Sequence, residues 1–95
     1  MSGLYTFEKW LAEKICKEVR SGDSENLMGF VRATQIAPER VKEALSADLN
    51  NPAYAMDYIE ETHSSGVFIV DYQKSVDYIF EELLKEFKPE ISSLK

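Results

Sequence analysis

One histidine and one cysteine limit the catalytic repertoire of this 95-residue chain. Glu60 and His63 form a Glu-x-x-His pair, and at i, i+3 both side chains leave one helix face, the spacing used by carboxylate-bridged di-iron bundles. That chemistry needs a second such pair and two further glutamates, so the pair reads instead as a solvated helix end with a capping His63. Cys16 lies between Ile15 and Lys17 at the margin of an apolar stripe. Nothing in the sequence brings it to His63, as a nucleophile and base must be brought together, so it reads as packing material. Gly3, Gly22, Gly29 and Gly66 are scattered, which leaves no loop to cradle a phosphate. These residue types predict a non-enzymatic protein without cofactor or metal.

The charges are more informative. The chain holds 17 acids against 11 bases, a formal net charge of −6. Its first 45 residues carry seven of each, so the excess lies in the second half. From Asp48 to Glu82 eight carboxylates face a single base, Lys74, and Tyr54, Tyr58, Tyr72 and Tyr78 lie among them. An acidic surface attracts basic proteins and repels phosphate backbones. Tyrosine offers a large contact area at low entropic cost, with a hydrogen-bonding tip. Tyr54, Tyr58 and Glu61 follow i, i+4, i+7 on one predicted helix, with Asp57 and Glu60 on or near the same side. The predicted partner-binding surface is Tyr54, Asp57, Tyr58, Glu60, Glu61, Asp77 and Glu81, facing a basic protein. A variant of the same expectation treats the acids as a decoy for DNA phosphates.

Nucleic acid is the alternative partner. Two short helices joined by a tight turn, with Ile36 and Val41 at locking positions, resemble a helix-turn-helix. Arg32, Arg40 and Lys42 would then meet bases or phosphates. Gln35 stands where that bend usually wants glycine, Glu39 and Glu43 share the recognition helix, and the acidic flank opposes phosphate.

The elements that must position these residues are helical. Phe7, Leu11, Ile15 and Val19 repeat every four residues over a helix at 5–20, beside Trp10, with Thr6 as its cap and Gly22 as a left-handed stop. Asp23 or Ser24 caps a second helix at about 25–33 that buries Leu27, Phe30 and Val31. Thr34 to Ala37 then forms a tight connection. Pro38 opens a third helix, 38–47, with Val41, Ala44 and Leu45 inward. Asn50-Asn51-Pro52 starts a fourth, 52–63, with Ala55, Met56 and Ile59 inward. After Ser64-Ser65-Gly66, Val67 to Tyr72 is β-branched and aromatic, an extended segment with no obvious partner strand. Val76, Ile79, Phe80, Leu83, Leu84 and Phe87 then mark a helix at 73–88, which Pro89 ends, leaving 90–95 as a frayed tail.

From Phe30 through Glu61 the chain reads FVRATQIAPERVKEALSADLNNPAYAMDYIEE. This resembles the UBA-like (ubiquitin-associated) three-helix module, with Phe30, Thr34, Val41, Ala44, Leu45, Asn50, Asn51, Ala55, Tyr58 and Ile59 matching in order. The resemblance covers about a third of the chain. It departs at the loop, where Gln35-Ile36-Ala37 replace the family's Gly-containing turn. It implies a three-helix core within 25–63. It also implies a contact surface on Gln35, Ile36, Ala37 and the outer face of the fourth helix.

The expectation is a single all-α domain over 1–95, a compact bundle of about five helices with one short extended segment near 67–72. A 44% hydrophobic share supports a folded core, and the longest apolar run, Val67 to Val70, falls far short of a membrane span. The single cysteine and the charged N-terminus, with no leader-like apolar stretch, point to the cytoplasm. The expected role is an adaptor, regulator or inhibitor that binds a basic protein. Self-association through 67–72 or 73–88 is a further expectation.

Overall fold

A computed structural model describes residues 7–62 and 72–94 and shows an all-α bundle of six helices. They are α1 (Phe7–Ser21), α2 (Ser24–Ile36), α3 (Pro38–Leu49), α4 (Pro52–Thr62), α5 (Tyr72–Glu86) and α6 (Lys88–Ser93). The expected cap Thr6, His63 and most of the extended segment, 67–71, lie outside the described residues; Tyr72 opens α5.

Helix starts follow the sequence signals. Asp23 Oδ1 accepts the Asn26 amide at 2.8 Å, satisfying an orphan N–H at the head of α2. Asn51 Oδ1 does the same for Ala53 at 3.0 Å beside Pro52. Gly22 follows α1 without adopting the left-handed conformation expected of it; its amide reaches the Val19 carbonyl at 3.3 Å.

The α2–α3 junction is tighter than expected. α2 runs on through Thr34, Gln35 and Ile36, and only Ala37, at φ −142° and ψ 55°, is non-helical. Pro38 excludes the α conformation from the residue just before it and from no earlier one, so the break falls at residue 37. Thr34 does not interrupt the helix because its Oγ1 donates to the Val31 carbonyl at 2.7 Å within it.

Phe7, Trp10, Leu11, Ala12 and Ile15 of α1 meet Val76, Ile79, Phe80 and Leu83 of α5, and Val41, Leu45 and Leu49 of α3 join the core with Val31, Tyr58 and Phe87. The buried stripe of α3 steps by four, which leaves Ala44 exposed rather than inward. α4 and α5 each pack against both α1 and α3, while α2 bridges α1 and α3 and receives α6. Leu11, Val31, Ile79, Leu83 and Phe87 are the most completely buried side chains, each contributing on the order of 1.5–3 kcal/mol of transfer free energy.

The C-terminal tail is structured, contrary to the expectation that Pro89 leaves it frayed. Pro89 falls in the first turn of α6, where a missing N–H costs nothing, so it restarts a helix after the bend at Phe87. Ile91 and Leu94 pack against the core. Arg20 secures the junction from α1: its Nε donates to Glu86 Oε2 at 2.7 Å, Nη1 to Glu90 Oε2 at 3.1 Å and Nη2 to the Glu86 carbonyl at 3.1 Å. Its guanidinium also lies 4.6 Å from the centre of the Phe87 ring.

Candidate functional site

α4 carries most of the residues expected to bind a partner, and its orientation is set by aromatic packing. Tyr58 meets Phe7 at 5.3 Å and Trp10 at 5.7 Å between ring centroids, both edge-on. These contacts bury Tyr58 to 7% exposure, so it is a core residue and not part of an outer binding face. Tyr54, one turn earlier, touches the edge of Trp10 at 6.4 Å and stays half-buried. With Tyr54 and Tyr58 inward, helical geometry turns Met56 and Glu60 to the opposite side. Met56 is accordingly 64% exposed, where an inward position was expected.

Several of the predicted acids are occupied within the chain. Glu61 Oε1 accepts the Trp10 indole N–H at 3.0 Å, and its Oε2 lies 3.6 Å from Lys14 Nζ. The Trp10 hydrogen bond, then Lys14, hold its carboxyl below the usual glutamate range. Asp77 lies 3.7 Å from Lys42 Nζ, which also sits over the Phe80 ring at 5.1 Å. Glu60 and Glu81 are exposed, and Asp57 is half-buried. α4 and α5 each lean on α1 and α3.

The alternative DNA-contacting residues sit in different surroundings. Arg40 is exposed in the first turn of α3, while Lys42 is engaged by Asp77 and Phe80. Arg32 belongs to α2 and borders a concavity with Gln35, Ile36, Ile91 and Leu94.

The structure does gather a different acidic group, around the Tyr54 hydroxyl. Tyr54 Oη donates to Glu18 Oε1 at 3.0 Å. Burial and that hydrogen bond, with Glu18, Asp48 and Asp57 nearby, push the phenol up to about 12. Asp48 is itself raised, first by burial and then by Glu18. Three helices thus supply Glu18, Asp48 and Asp57, and none of the three forms an ion pair among the described residues. Neither Glu18 nor Asp48 was singled out as a binding residue in the sequence. The available signal was position: Asp48 follows Ala44 and Leu45 at the margin of the α3 stripe, and Glu18 follows Ile15 by one turn.

A second concavity, about 490 Å³, lies between α1 and α5 with Cys16 among its lining residues. Its walls alternate in charge, with Lys9, Lys17 and Arg20 against Glu13, Glu82 and Glu86. Burial, then Glu86, push the Cys16 thiol up to about 11. That is the opposite of an activated nucleophile, whose thiolate must form near neutral pH. No helix among the described residues is long and apolar enough to cross a membrane. No known protein family, curated protein or solved structure matches this chain.

Proposed function

We propose that the protein is a non-catalytic interaction module, an adaptor, regulator or inhibitor, that binds a basic segment of another protein at the Tyr54 acidic cluster. The observation that carries this reading is the trio Glu18, Asp48 and Asp57, drawn together by α1, α3 and α4 with no internal cation among the described residues. Asp48 is charged at the expense of burial and of the neighbouring Glu18, and a Lys or Arg from outside relieves that cost. The same acids do not converge as metal ligands: no group of three or more among the described residues is arranged to hold a metal ion. An extended basic chain suits their spread better than a single ion. Tyr54 adds an aromatic surface, and the outer face of α4 supplies Met56 and Glu60 at the rim.

A second protein-binding surface is favoured by Ile36, 76% exposed at the end of α2. It falls where the UBA-like resemblance puts its contact residues.

The test is binding of a fluorescent Lys/Arg-rich peptide, with duplex DNA as competitor, at low and high salt. The cluster predicts peptide binding that weakens with salt and is lost in the triple variant Glu18→Gln, Asp48→Asn, Asp57→Asn. Peptide binding indifferent to that variant would sink the reading. Preferential binding of DNA, abolished by Arg40→Glu, would favour the helix-turn-helix alternative in its place.

A further inference from the structure

Asp48 belongs to a second feature. An apolar groove of about 280 Å³ runs along one face of α3, with Val41, Ala44 and Leu45 on its wall and Ile15 of α1 and Phe30 of α2 opposite. Almost all of its accessible lining is apolar, and its two charged residues stand apart, Arg40 and Asp48. Those residues are two turns apart on α3, about 12 Å along the helix. The Asp48 end is reinforced by Glu18, which lies one turn beyond Ile15 on α1. The groove is therefore a polarised slot: basic at one end, greasy along its length and acidic at the other.

Its volume decides what it holds. At 280 Å³ it lies below the roughly 300–1,000 Å³ of pockets that enclose a small molecule. It is nearly twice the roughly 150 Å³ that accommodates one benzene ring. It suits about two medium-sized apolar side chains presented by a chain that itself remains outside.

We propose that this groove docks a short amphipathic segment of a partner protein, with two apolar side chains between Ile15, Phe30 and Leu45 and a Lys or Arg placed against Asp48 and Glu18. Charge complementarity argues for this occupant over a wholly apolar one. A neutral segment would bury Asp48, already half-buried and without an ion pair among the described residues, with no cation beside it, and that desolvation is costly. Arg40 sets the direction, because a segment inverted in the slot would bring its cation to the guanidinium. A second copy of this chain is a weaker occupant, since its net charge of −6 is repelled by the acidic end. The inference rests on the reading of the Tyr54 cluster as a site for basic segments, and it adds the apolar specificity and the register.

Three labelled peptides test it by fluorescence anisotropy: Lys-flanked with two leucines, the same with serines for leucines, and the leucine peptide with glutamates for lysines. The groove predicts that the first binds at least about tenfold tighter than either of the others. Ala44→Gln, which narrows the groove from an exposed helical position, removes that advantage. Asp48→Asn weakens the first peptide while leaving the fold intact by circular dichroism. Amide shifts induced by the first peptide fall on Ala33, Ala44 and Asp48. Equal binding of the leucine and serine peptides, unmoved by Ala44→Gln, overturns the groove while leaving the acidic-cluster reading standing. Binding of the glutamate peptide as tight as the lysine one overturns the charge register. Failure of both lysine peptides overturns the groove and the cluster together.

Discussion

The indole N–H of Trp10 donates to Glu61 Oε1 at 3.0 Å, joining the N-terminal half of α1 to the last turn of α4. A residue that reads as a partner-seeking acid is thereby a structural tie. Glu61→Ala leaves the part-buried indole without its acceptor and lowers Tm, whereas Glu61→Gln keeps a carbonyl oxygen in place and recovers part of the loss. The carboxyl is held below its ordinary value of 4.5, so its contribution is fully present above that value and fades as pH falls through the lowered one. Melting curves from pH 7 to pH 3 should show the gap between the alanine variant and the parent narrowing in acid towards the gap shown by Glu61→Gln, because the protonated carboxyl keeps a carbonyl oxygen for the indole. A gap of the same size at pH 7 and pH 3 would contradict the assignment.

Asp48 carries the opposite sign. Its folded value is raised by burial and by Glu18, so the folded protein holds its proton more tightly than the unfolded chain does. Stability attributable to this group therefore declines as pH rises from the ordinary aspartate value of 3.8 through the raised one. The position also lies in the last turn of α3, where a negative charge opposes the helix dipole. Asp48→Asn should stabilise the protein at pH 7 by a few tenths to about 1 kcal/mol, with the gain vanishing below pH 3.8. Because the same variant weakens peptide binding, denaturant melts paired with anisotropy should reveal stability and affinity moving in opposite directions. A destabilised Asp48→Asn would show that the carboxylate has a cation partner in solution.

Arg20 makes three hydrogen bonds across the α5–α6 junction and stacks near Phe87. The planar guanidinium can serve Glu86 and Glu90 together, and a lysine ammonium lacks that fork. Arg20→Lys should release α6 selectively. Hydrogen exchange over 88–94 should speed up markedly while protection in α1 and α5 holds. Uniform loss of protection throughout the chain would mean that α6 does not open as a separate unit.

Cys16 should be slow to react. A thiol pushed up from 9.0 to about 11 has about a hundredfold less thiolate at pH 8 than an ordinary one, and its half-buried site slows access further. A disulfide-forming reagent such as Ellman's should label the folded protein at least about a hundredfold more slowly than the denatured chain. Labelling at the denatured rate would show that the α1–α5 groove opens readily.

The local rules written in the sequence were sufficient for the helices. Pro38, Asp23 and Asn51-Pro52 each mark a start, because φ restriction and side-chain capping act within a few residues. The stripe Val76, Ile79, Phe80, Leu83 shows the inner face of α5 for the same reason. Local rules were insufficient at the tail: Pro89 permits either an end or a restart, and the choice depends on docking of Ile91 and Leu94 and on Arg20, far away in the chain.

Charge shows the division most clearly. Composition alone determined that the second half is acidic and that tyrosines accompany the acids. Which of those residues meet solvent was decided by packing. The aromatic contacts with Phe7 and Trp10 draw Tyr58 into the core and turn Met56 outward, a rotation that period and composition leave open. Glu18, from the neutral half of the chain, joins Asp48 and Asp57 only because α1, α3 and α4 converge at Tyr54. Helix formation is governed by interactions a few residues apart and is legible along the chain, whereas an electrostatic site depends on distances in space that arise only when the helices pack.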